Sequence, residues 1–309
     1  MKKIIILLSL LNVGMTTGSQ ITDKPRREFY TQSKFKAVSF SKDGNMIAAS
    51  SESSLEVYHT RMGLRLKSLP IKSPITAIDA SPNEPNIVAC ADKSNSILFW
   101  DIENGKVQKK ITLKDDIKGI EYRQDGREIL VNTGKNAIFY NVFLGKKTQT
   151  FKTTNAVLMT YNQSSQILVT THPDNTISVW DLANEKKLFV LKNHQDKITQ
   201  VVINKAGNQL ISSSIDKTIR VWDLKNGQEI KQIAYNSAFN FVAYDLNENH
   251  LITASDDKKT IVWDITAETL TILNQYKGQS EATFVGRHPK EQLLLSGYND
   301  KVLQTWLMK

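Results

Sequence analysis

Cysteine is almost absent from this 309-residue chain, because Cys90 is the single one. One cysteine cannot form a disulfide bond within a molecule. Residues 87–91 around it are apolar and are predicted to form a strand, so we expect a buried, unreactive thiol. A long apolar run is missing too: residues 4–11 are too few to cross a bilayer, and no cysteine stands directly after them to carry a lipid. We therefore expect no disulfide framework and no permanent membrane anchor.

Motifs for catalysis and metal binding are also missing. The chain has no G-x-S-x-G nucleophile elbow, and its Asp-Gly turns lack the alternating oxygen ligands of a calcium loop. Four histidines stand alone without an H-x-x-x-H or cysteine partner, namely His59, His172, His250 and His288. We expect no cofactor, no metal and no enzymatic activity, although a site built from distant segments would escape a search by local spacing.

Seven aromatic residues divide the chain at intervals of 40 to 43 residues: Tyr58, Trp100, Tyr140, Trp180, Trp222, Trp263 and Trp306. A repeat of this length, with a tryptophan near the end of a β-rich unit, is typical of a propeller blade. In the fifth unit, the alternation of apolar and polar residues and the hairpin turn Asn226-Gly227 predict four strands, and this prediction does not depend on any family resemblance. The period predicts an all-β, seven-bladed β-propeller of four-stranded antiparallel blades.

Two local patterns accompany the aromatic residues. Four near-copies of one tetrapeptide occur in register at residues 99–102, 179–182, 221–224 and 262–265. A second pattern, Ser/Thr-x3-Asp-x5-Trp, recurs as Thr170/Asp174/Trp180, Ser212/Asp216/Trp222, Thr253/Asp257/Trp263 and Ser296/Asp300/Trp306. At these residues the chain resembles the WD40 repeat family, from roughly residue 28 to the C-terminus.

The resemblance implies a structural tetrad in the fifth unit, formed by His194, Ser212, Asp216 and Trp222. A buried indole N–H needs an acceptor, and a chain of hydroxyl, imidazole and carboxylate satisfies every member. A Ser-His-Asp triad is the competing interpretation, but the Ser/Thr and Asp positions recur in units that lack the histidine. The position of His194 is occupied by Lys152, Tyr235 or Gly278 in neighbouring units, and the units of Tyr58 and Tyr140 lack both the Trp and the turn Asp.

The two ends of the chain suggest how the ring closes. The last unit stops three residues after Trp306 and has no fourth strand. Residues 26–32, which include Phe29 and Tyr30, precede the first complete unit and can supply that strand, removing an exposed edge. We therefore assign residues 20–309 to one propeller domain.

Residues 1–19 have the pattern of a secretory signal peptide. Lys2 and Lys3 precede the apolar residues 4–11, and small polar residues follow, with cleavage expected between Thr16 and Gln20. The prediction is an exported protein, periplasmic or secreted, and the lack of disulfides favours a bacterial envelope. The alternative is a cytosolic propeller with a buried or disordered leader.

The net charge of +9 invites a nucleic-acid interpretation. However, lysine pairs are spread over many turns, as at residues 109–110, 146–147, 186–187 and 258–259, and acidic pairs lie between them. A solvated surface explains this better than a nucleic-acid site, while weak attraction to anionic surfaces remains open.

The resemblance also implies that protein partners dock on the face where the chain enters each inner strand. The positions flanking the first apolar residue of that strand give the predicted partner-binding residues Lys34, Lys36, Thr76, Asp116, Lys118, Asn155, Lys197, Thr199, Asn240, Glu281 and Thr283. We therefore predict a noncatalytic scaffold for protein partners. Two alternatives stay open: an enzyme or small-ligand binder that uses the central channel, and a cytosolic scaffold of the same fold.

Overall fold

The protein is a ring of seven small β-sheets. A computed structural model describes residues 21–22, 24–266 and 271–308, which contain 29 strands. No helix in this part of the chain is long and apolar enough to cross a membrane. The all-β, seven-bladed architecture predicted from the aromatic period is confirmed.

Blades 1 to 6 each run in chain order from a first strand at the ring axis to a fourth strand at the outside. Blade 1 consists of β3 (Val38–Phe40), β4 (Met46–Ser50), β5 (Ser54–His59) and β6 (Leu64–Pro70). Blade 2 has β7 (Ile75–Ala80), β8 (Ile87–Asp92), β9 (Ser96–Asp101) and β10 (Lys106–Thr112). Blade 3 has β11 (Gly119–Tyr122), β12 (Glu128–Asn132), β13 (Asn136–Asn141) and β14 (Lys147–Lys152). Blade 4 has β15 (Met159–Asn162), β16 (Ile167–Thr171), β17 (Ile177–Asp181) and β18 (Lys186–Leu191).

Blades 5 and 6 follow the same plan, and blade 7 has three strands in chain order. Blade 5 consists of β19 (Ile198–Ile203), β20 (Gln209–Ser214), β21 (Thr218–Asp223) and β22 (Gln228–Ala234). Blade 6 has β23 (Phe239–Tyr244), β24 (His250–Ser255), β25 (Lys259–Asp264) and β26 (Thr271–Lys277). Blade 7 has β27 (Ala282–Arg287), β28 (Leu293–Tyr298) and β29 (Val302–Leu307). The first strands of successive blades pack side by side, and β27 returns to β3 to complete the ring.

The N-terminal strand β2 (Arg27–Tyr30) closes the ring, as predicted. It pairs antiparallel with β29, with Phe29 opposite Leu303, and so supplies the fourth strand of blade 7. Phe29 is 1% exposed and meets the ring of Tyr58 edge-on at 5.5 Å between centroids. The first and last segments of the propeller are thus held in one sheet.

A further strand, β1 (Ile21–Thr22), was not predicted. It pairs in parallel with β26 and gives blade 6 a fifth, outermost strand. Two residues are too few to show a periodic pattern, so the sequence carries no signal for this pairing.

The seven periodic aromatic residues lie on the third strands and pack against the preceding blade. Trp222 of blade 5 packs with Ile167 and Val169 of blade 4, and Trp306 of blade 7 packs with Ile252 of blade 6. Tyr58 of blade 1 packs with Leu295 of blade 7, so the pattern continues across the closure. Burial of one such side chain contributes roughly 2–3 kcal/mol. The repeat in the sequence is therefore a repeat of interfaces between blades.

The ring has two faces, which we name by their loops. The entry face carries the loops that lead from a fourth strand to the next first strand, and also the turns between second and third strands. The opposite face carries the turns between first and second strands and between third and fourth strands. At one of these turns, Gly227 has φ +72°, and an added Cβ would lie 2.8 Å from the ring of Phe189. Both features require glycine there.

Candidate functional site

The four tetrad residues of blade 5 form one hydrogen-bonded chain. The indole of Trp222 donates to Ser212 Oγ at 2.9 Å, Ser212 Oγ lies 2.8 Å from His194 Nε2, and His194 Nδ1 lies 2.7 Å from Asp216 Oδ2. Burial acts to raise the pKa of Asp216, but hydrogen bonds from His194 and Thr218 outweigh it and hold that pKa well below its ordinary value. All four side chains are internally satisfied, which leaves none free for a substrate.

Two neighbouring blades, 4 and 6, form comparable hydrogen-bonded clusters with different residues. In blade 6, Tyr235 replaces the histidine: its hydroxyl donates to Asp257 Oδ2 at 2.8 Å, and its ring packs edge-on against Trp263. In blade 4, His172 reaches into the space from the end of β16, with Nε2 3.3 Å from Thr170 Oγ1 and Nδ1 2.9 Å from the carbonyl of Thr154. The sequence register did not reveal His172, since it lies two residues after Thr170 and not in the preceding loop.

Two tryptophans have no hydrogen-bond partner within the described residues. Cys90 stands where blade 5 has Ser212, so the indole of Trp100 meets a thiol and not a hydroxyl. Burial raises the pKa of the Cys90 thiol, which is fully enclosed. In blade 7, Ser296 Oγ lies 2.7 Å from Thr260 Oγ1 of blade 6, and Trp306 is left without an acceptor.

Blade 1 uses a buried carboxylate in place of the tetrad. Glu56 is 0% exposed and accepts hydrogen bonds from the Tyr58 hydroxyl and from the backbone N–H of Gln32, the latter at 3.0 Å. Ser54 Oγ lies 3.4 Å away and an Arg65 nitrogen 3.9 Å away. Glu56 therefore connects the middle of blade 1 to the segment that follows the closing strand β2.

The predicted partner-binding residues divide into two groups on the entry face. Seven have exposed side chains, namely Lys34, Lys36, Asp116, Lys118, Asn155, Lys197 and Glu281. The other four are half-buried, and their polar atoms bond backbone carbonyls: Thr76 to Ala91, Thr199 to Phe239, Asn240 to Ala282 and Thr283 to Gly297. Thr199 and Asn240 thereby join their blades to the next ones. The exposed group forms a polar rim around the ring.

A cavity with a volume of about 570 Å³ opens on this face at blade 4. We call it the blade 4 pocket; its lining residues include Asn155, His172, Asp174, Ser178, Lys187 and Lys192. Only three residues, 153–155, separate Lys152 of blade 3 from buried Ala156, whereas five, 193–197, separate the equivalent Lys192 from Ile198, the counterpart of Ala156 in blade 5. The shorter loop brings no counterpart of Asn193 or His194, which leaves the space open.

Blade 5 shows what fills the same space there. Arg220, at the position of Ser178, donates to Glu229 Oε2 at 2.6 Å, and Asn193 donates to the same oxygen at 2.7 Å. In blade 4 the short Ser178 and the cation Lys187, whose Nζ lies 4.5 Å from the ring centroid of Trp180, replace Arg220 and Glu229. The blade 4 pocket therefore occupies the space that the side chains of Arg220, Glu229 and Asn193 fill in blade 5.

A pair of carboxyl groups lies near the ring axis. Asp79 on β7 and Glu121 on β11 occupy equivalent positions, where the other blades carry Ser39, Thr160, Val202, Ala243 and Gly286. Asp79 accepts the backbone N–H of Tyr122 at 2.6 Å, and Glu121 accepts the hydroxyl of Thr160 at 3.3 Å. Burial raises the pKa of Asp79 to about 6. Burial and the charge of Asp79 raise the pKa of Glu121 to about 8.

Replacing the inner glutamate, Glu121→Gln, is expected to stabilise the protein in a pH-dependent way. Since the folded-state pKa of about 8 exceeds the ordinary 4.5, the folded protein keeps a proton that the unfolded chain releases, and stability falls as pH rises between these values. Allowing for partial exposure at the axis, we expect a gain of about 1–2 kcal/mol near pH 8 and almost none near pH 4. Urea unfolding of both proteins at the two pH values measures this. An equal gain at both values, or a loss near pH 8, would contradict the assigned shift.

No group of three or more His, Cys, Asp or Glu side chains that could hold a metal ion occurs among the described residues. The acidic pair at the axis therefore has no third ligand of these types in the described ranges.

Comparison with known proteins locates the same repeats. The family model described as WD domain, G-beta repeat, matches residues 65–101, 185–223 and 227–264. Each match ends at the Trp-Asp pair of a third strand and begins within one residue of the start of the preceding blade's outer strand, so the sequence repeat is offset from the structural blade.

Three relatives are similar to this chain over half of its length or more. Eukaryotic translation initiation factor 3 subunit I of Neosartorya fischeri is 19% identical over 84% of this chain and 71% of its own length. Pre-mRNA-splicing factor cwf17 of Schizosaccharomyces pombe is 27% identical over 75% of this chain and 71% of its own. Autophagy-related protein 16 of Arabidopsis thaliana is 26% identical over 53% of this chain and 33% of its own.

Proposed function

We propose that this propeller is a noncatalytic scaffold that binds protein partners on its entry face. The observation that carries the proposal is the coincidence, on one face, of the exposed rim residues and the blade 4 pocket, with Asn155 belonging to both. The tetrad hydroxyl, imidazole and carboxylate are hydrogen-bonded to one another, so these residues stabilise the blade. The exposed rim residues are therefore the better candidates for binding a partner. The WD40 matches support the proposal, and one relative is by name a subunit of a larger factor.

The pocket suggests how a partner is held. A rigid ring offers a preformed surface, and a partner side chain that enters the pocket meets the carboxylate of Asp174 and the buried hydroxyl of Ser178. Lys34, Lys36 and Lys197 add positive charge to the rim on other blades. We therefore expect a partner that contacts several blades at once, with one side chain inserted at blade 4.

Charge reversal on the entry face tests the proposal. The triple variant Lys34→Glu, Lys36→Glu and Lys197→Glu is expected to lower partner recovery in affinity capture at least tenfold, since complementary rim charges speed encounter and exclude wrong partners. The melting temperature should not change, because these side chains are exposed. Quantitative mass spectrometry of the captured fraction is the readout.

The matched control makes the same charge change elsewhere: Lys106→Glu, Lys225→Glu and Lys290→Glu, which are exposed on the outer edge and the opposite face. This control should capture partners like the unchanged protein. Equal recovery of partners by the two triple variants would show that partners do not bind through the charges of the entry face.

A second arm tests the pocket itself. Ser178→Arg together with Lys187→Glu copies the Arg220–Glu229 pair of blade 5 and fills the space with a pairing that the fold already accommodates. We expect an unchanged melt and loss of the partner. Full recovery with a filled pocket would leave the rim charges as the sole basis of binding.

The carboxyl pair at the axis favours a second candidate, a channel that binds a small ligand or acts on it. Carboxyl groups with raised pKa values are typical of reactive sites. However, Asp79 and Glu121 are each bonded to the next blade, and the cavity beside Glu121 has a volume of about 80 Å³, against roughly 300–1,000 Å³ for ordinary ligand pockets. Turnover of a lactone, ester or glycan that is abolished by Glu121→Gln would establish this candidate.

We further propose that the protein is exported. This proposal rests on the sequence of residues 1–19, which lie outside the described residues, and no comparison speaks for it. N-terminal sequencing of the native protein is the test. A start between Thr16 and Gln20 agrees with export, and an intact Met1 shows a protein that keeps its leader.

A further inference from the structure

The turn between the third and fourth strands of blade 3 differs from its counterparts in the ring. It carries Phe143 and Leu144, whose side chains are 65% and 70% exposed. The equivalent turns of blades 2, 4 and 5 carry polar or small residues: Glu103-Asn104, Ala183-Asn184 and Lys225-Asn226. Blade 1 has Arg61-Met62. Two adjacent large apolar side chains in this turn are thus specific to blade 3 among these five blades. We call residues 142–147 the blade 3 tip.

The blade 3 tip is held in a fixed shape. The N–H of Leu144 donates to Asn141 Oδ1 at 2.8 Å, and the N–H of Val142 donates to the carbonyl of Arg127 at 2.9 Å. Lys109, from the outer strand of blade 2, donates to the carbonyl of Val142 at 2.6 Å. The neighbouring blade therefore fixes the tip, and the two apolar side chains point into solvent from an ordered base.

Positive charge surrounds the tip. Arg127, Lys146 and Lys147 are exposed, and Lys109 bonds the tip's own carbonyls. Glu128, which lies opposite Asn141 in the sheet, is neutralised by an ion pair with Arg123. We call Lys109, Arg127, Lys146 and Lys147 the basic collar of the tip. An exposed apolar pair with such a collar is complementary to a surface that has an apolar interior and negatively charged groups at its boundary.

We propose that the blade 3 tip binds the interface of an anionic lipid bilayer, with Phe143 and Leu144 inserted among the lipids and the basic collar on their headgroups. Apolar side chains beside lysine and arginine are the features of interfacial membrane contacts, and each nearby basic residue adds attraction to anionic lipid. Two side chains give reversible attachment only. The tip lies on the opposite face, so a ring attached in this way keeps its entry face open for a partner.

Vesicle co-sedimentation tests the proposal. Vesicles of phosphatidylcholine and phosphatidylglycerol, mixed three parts to one, are compared with pure phosphatidylcholine. The tip variant combines Phe143→Lys and Leu144→Asn, which copies the Lys225-Asn226 turn of blade 5 and so preserves the fold. Although this variant gains a positive charge, we expect its apparent affinity for the anionic vesicles to fall at least tenfold, because insertion is lost.

The matched control is Met62→Asn, which removes the 60% exposed apolar side chain of the blade 1 turn and should bind like the unchanged protein. Residues 4–11 are apolar and bind lipid in their own right, so the full chain and residues 20–309, which hold every described strand, are both measured. A melting curve for each protein confirms that it is folded.

Three outcomes would overturn the proposal. The first is absence of binding of residues 20–309 to the anionic vesicles. The second is equal binding by the tip variant, which would show that charge alone attracts the protein to the vesicles and that Phe143 and Leu144 do not insert. The third is a concentration-dependent dimer, seen by light scattering without lipid binding and abolished in the tip variant, which would make a second copy the occupant of the tip.

Discussion

Deletion of residues 20–32 is expected to lower the melting temperature by about 10 °C or more, or to leave the protein without a cooperative transition. The deletion removes β2, exposes the edge of β29 and takes away Phe29, which is almost fully buried between blades 7 and 1. Burial of Phe29 alone contributes roughly 2–3 kcal/mol, and each kcal/mol corresponds to about 2–4 °C in a domain of this size. Thermal melts followed by circular dichroism measure the change.

A shorter deletion is the control for the closing strand. Removing residues 20–23 takes away β1 but leaves β2 in place, and β1 is only a two-residue addition to the outer edge of blade 6. We expect a shift of a few degrees at most. If the longer deletion also melted like the unchanged protein, blade 7 would not depend on the N-terminal strand, and the proposed closure would fail.

The substitution Glu56→Ala is expected to destabilise the protein by about 3 kcal/mol. It removes a fully buried carboxylate and leaves the Tyr58 hydroxyl and the Gln32 N–H without their acceptor, and each buried polar group left unpaired costs about 1–3 kcal/mol. Burial and the bond to Glu56 raise the pKa of the Tyr58 hydroxyl, which stays protonated as a donor. Urea unfolding at neutral pH gives the free energy directly.

Two companion variants separate this role from a general effect of charge. Glu56→Gln keeps an acceptor oxygen for Tyr58 and should lose less than half as much stability. Glu52→Ala, at an exposed site in the same blade, should change little. A loss for Glu56→Ala no larger than that for Glu52→Ala would show that blade 1 does not rely on this carboxylate.

Much of the fold follows from the sequence because one physical requirement repeats seven times. Each blade must bury an aromatic side chain against its predecessor, and this need leaves a mark every 40 to 43 residues. The closing strand is predictable for a related reason, since a blade with three strands leaves an open edge. The two-residue strand β1 has no such signature, because it buries no periodic side chain.

The site was less predictable, because it arises where the repeat departs from its own rule. The tetrad of blade 5 can be recognised from residue spacing, but the replacement of its histidine by His172 in blade 4 and the buried role of Glu56 depend on where side chains turn in space. The blade 4 pocket results from a loop that is two residues shorter than that of blade 5, and it becomes visible only once strand register is known.

The predicted rim shows the same limit. Position in the repeat correctly located loops on the entry face, yet it could not separate exposed Lys197 from half-buried Thr199, whose hydroxyl bonds the next blade. Exposure depends on the partner atoms that the neighbouring blade provides, and those lie about 40 residues away in the chain. The exposure of a rim residue is therefore set by the neighbouring blade and not by the motif in which the residue lies.

Lysine cross-linking of the native complex, followed by mass spectrometry, decides whether partners bind on the entry face. We expect the cross-links to the partner to concentrate on the entry-face lysines Lys34, Lys36, Lys118 and Lys197. Partners bind elsewhere if the cross-links concentrate on the lysines of the opposite face, Lys42, Lys205, Lys225 and Lys290, while the entry-face lysines remain unmodified by the partner.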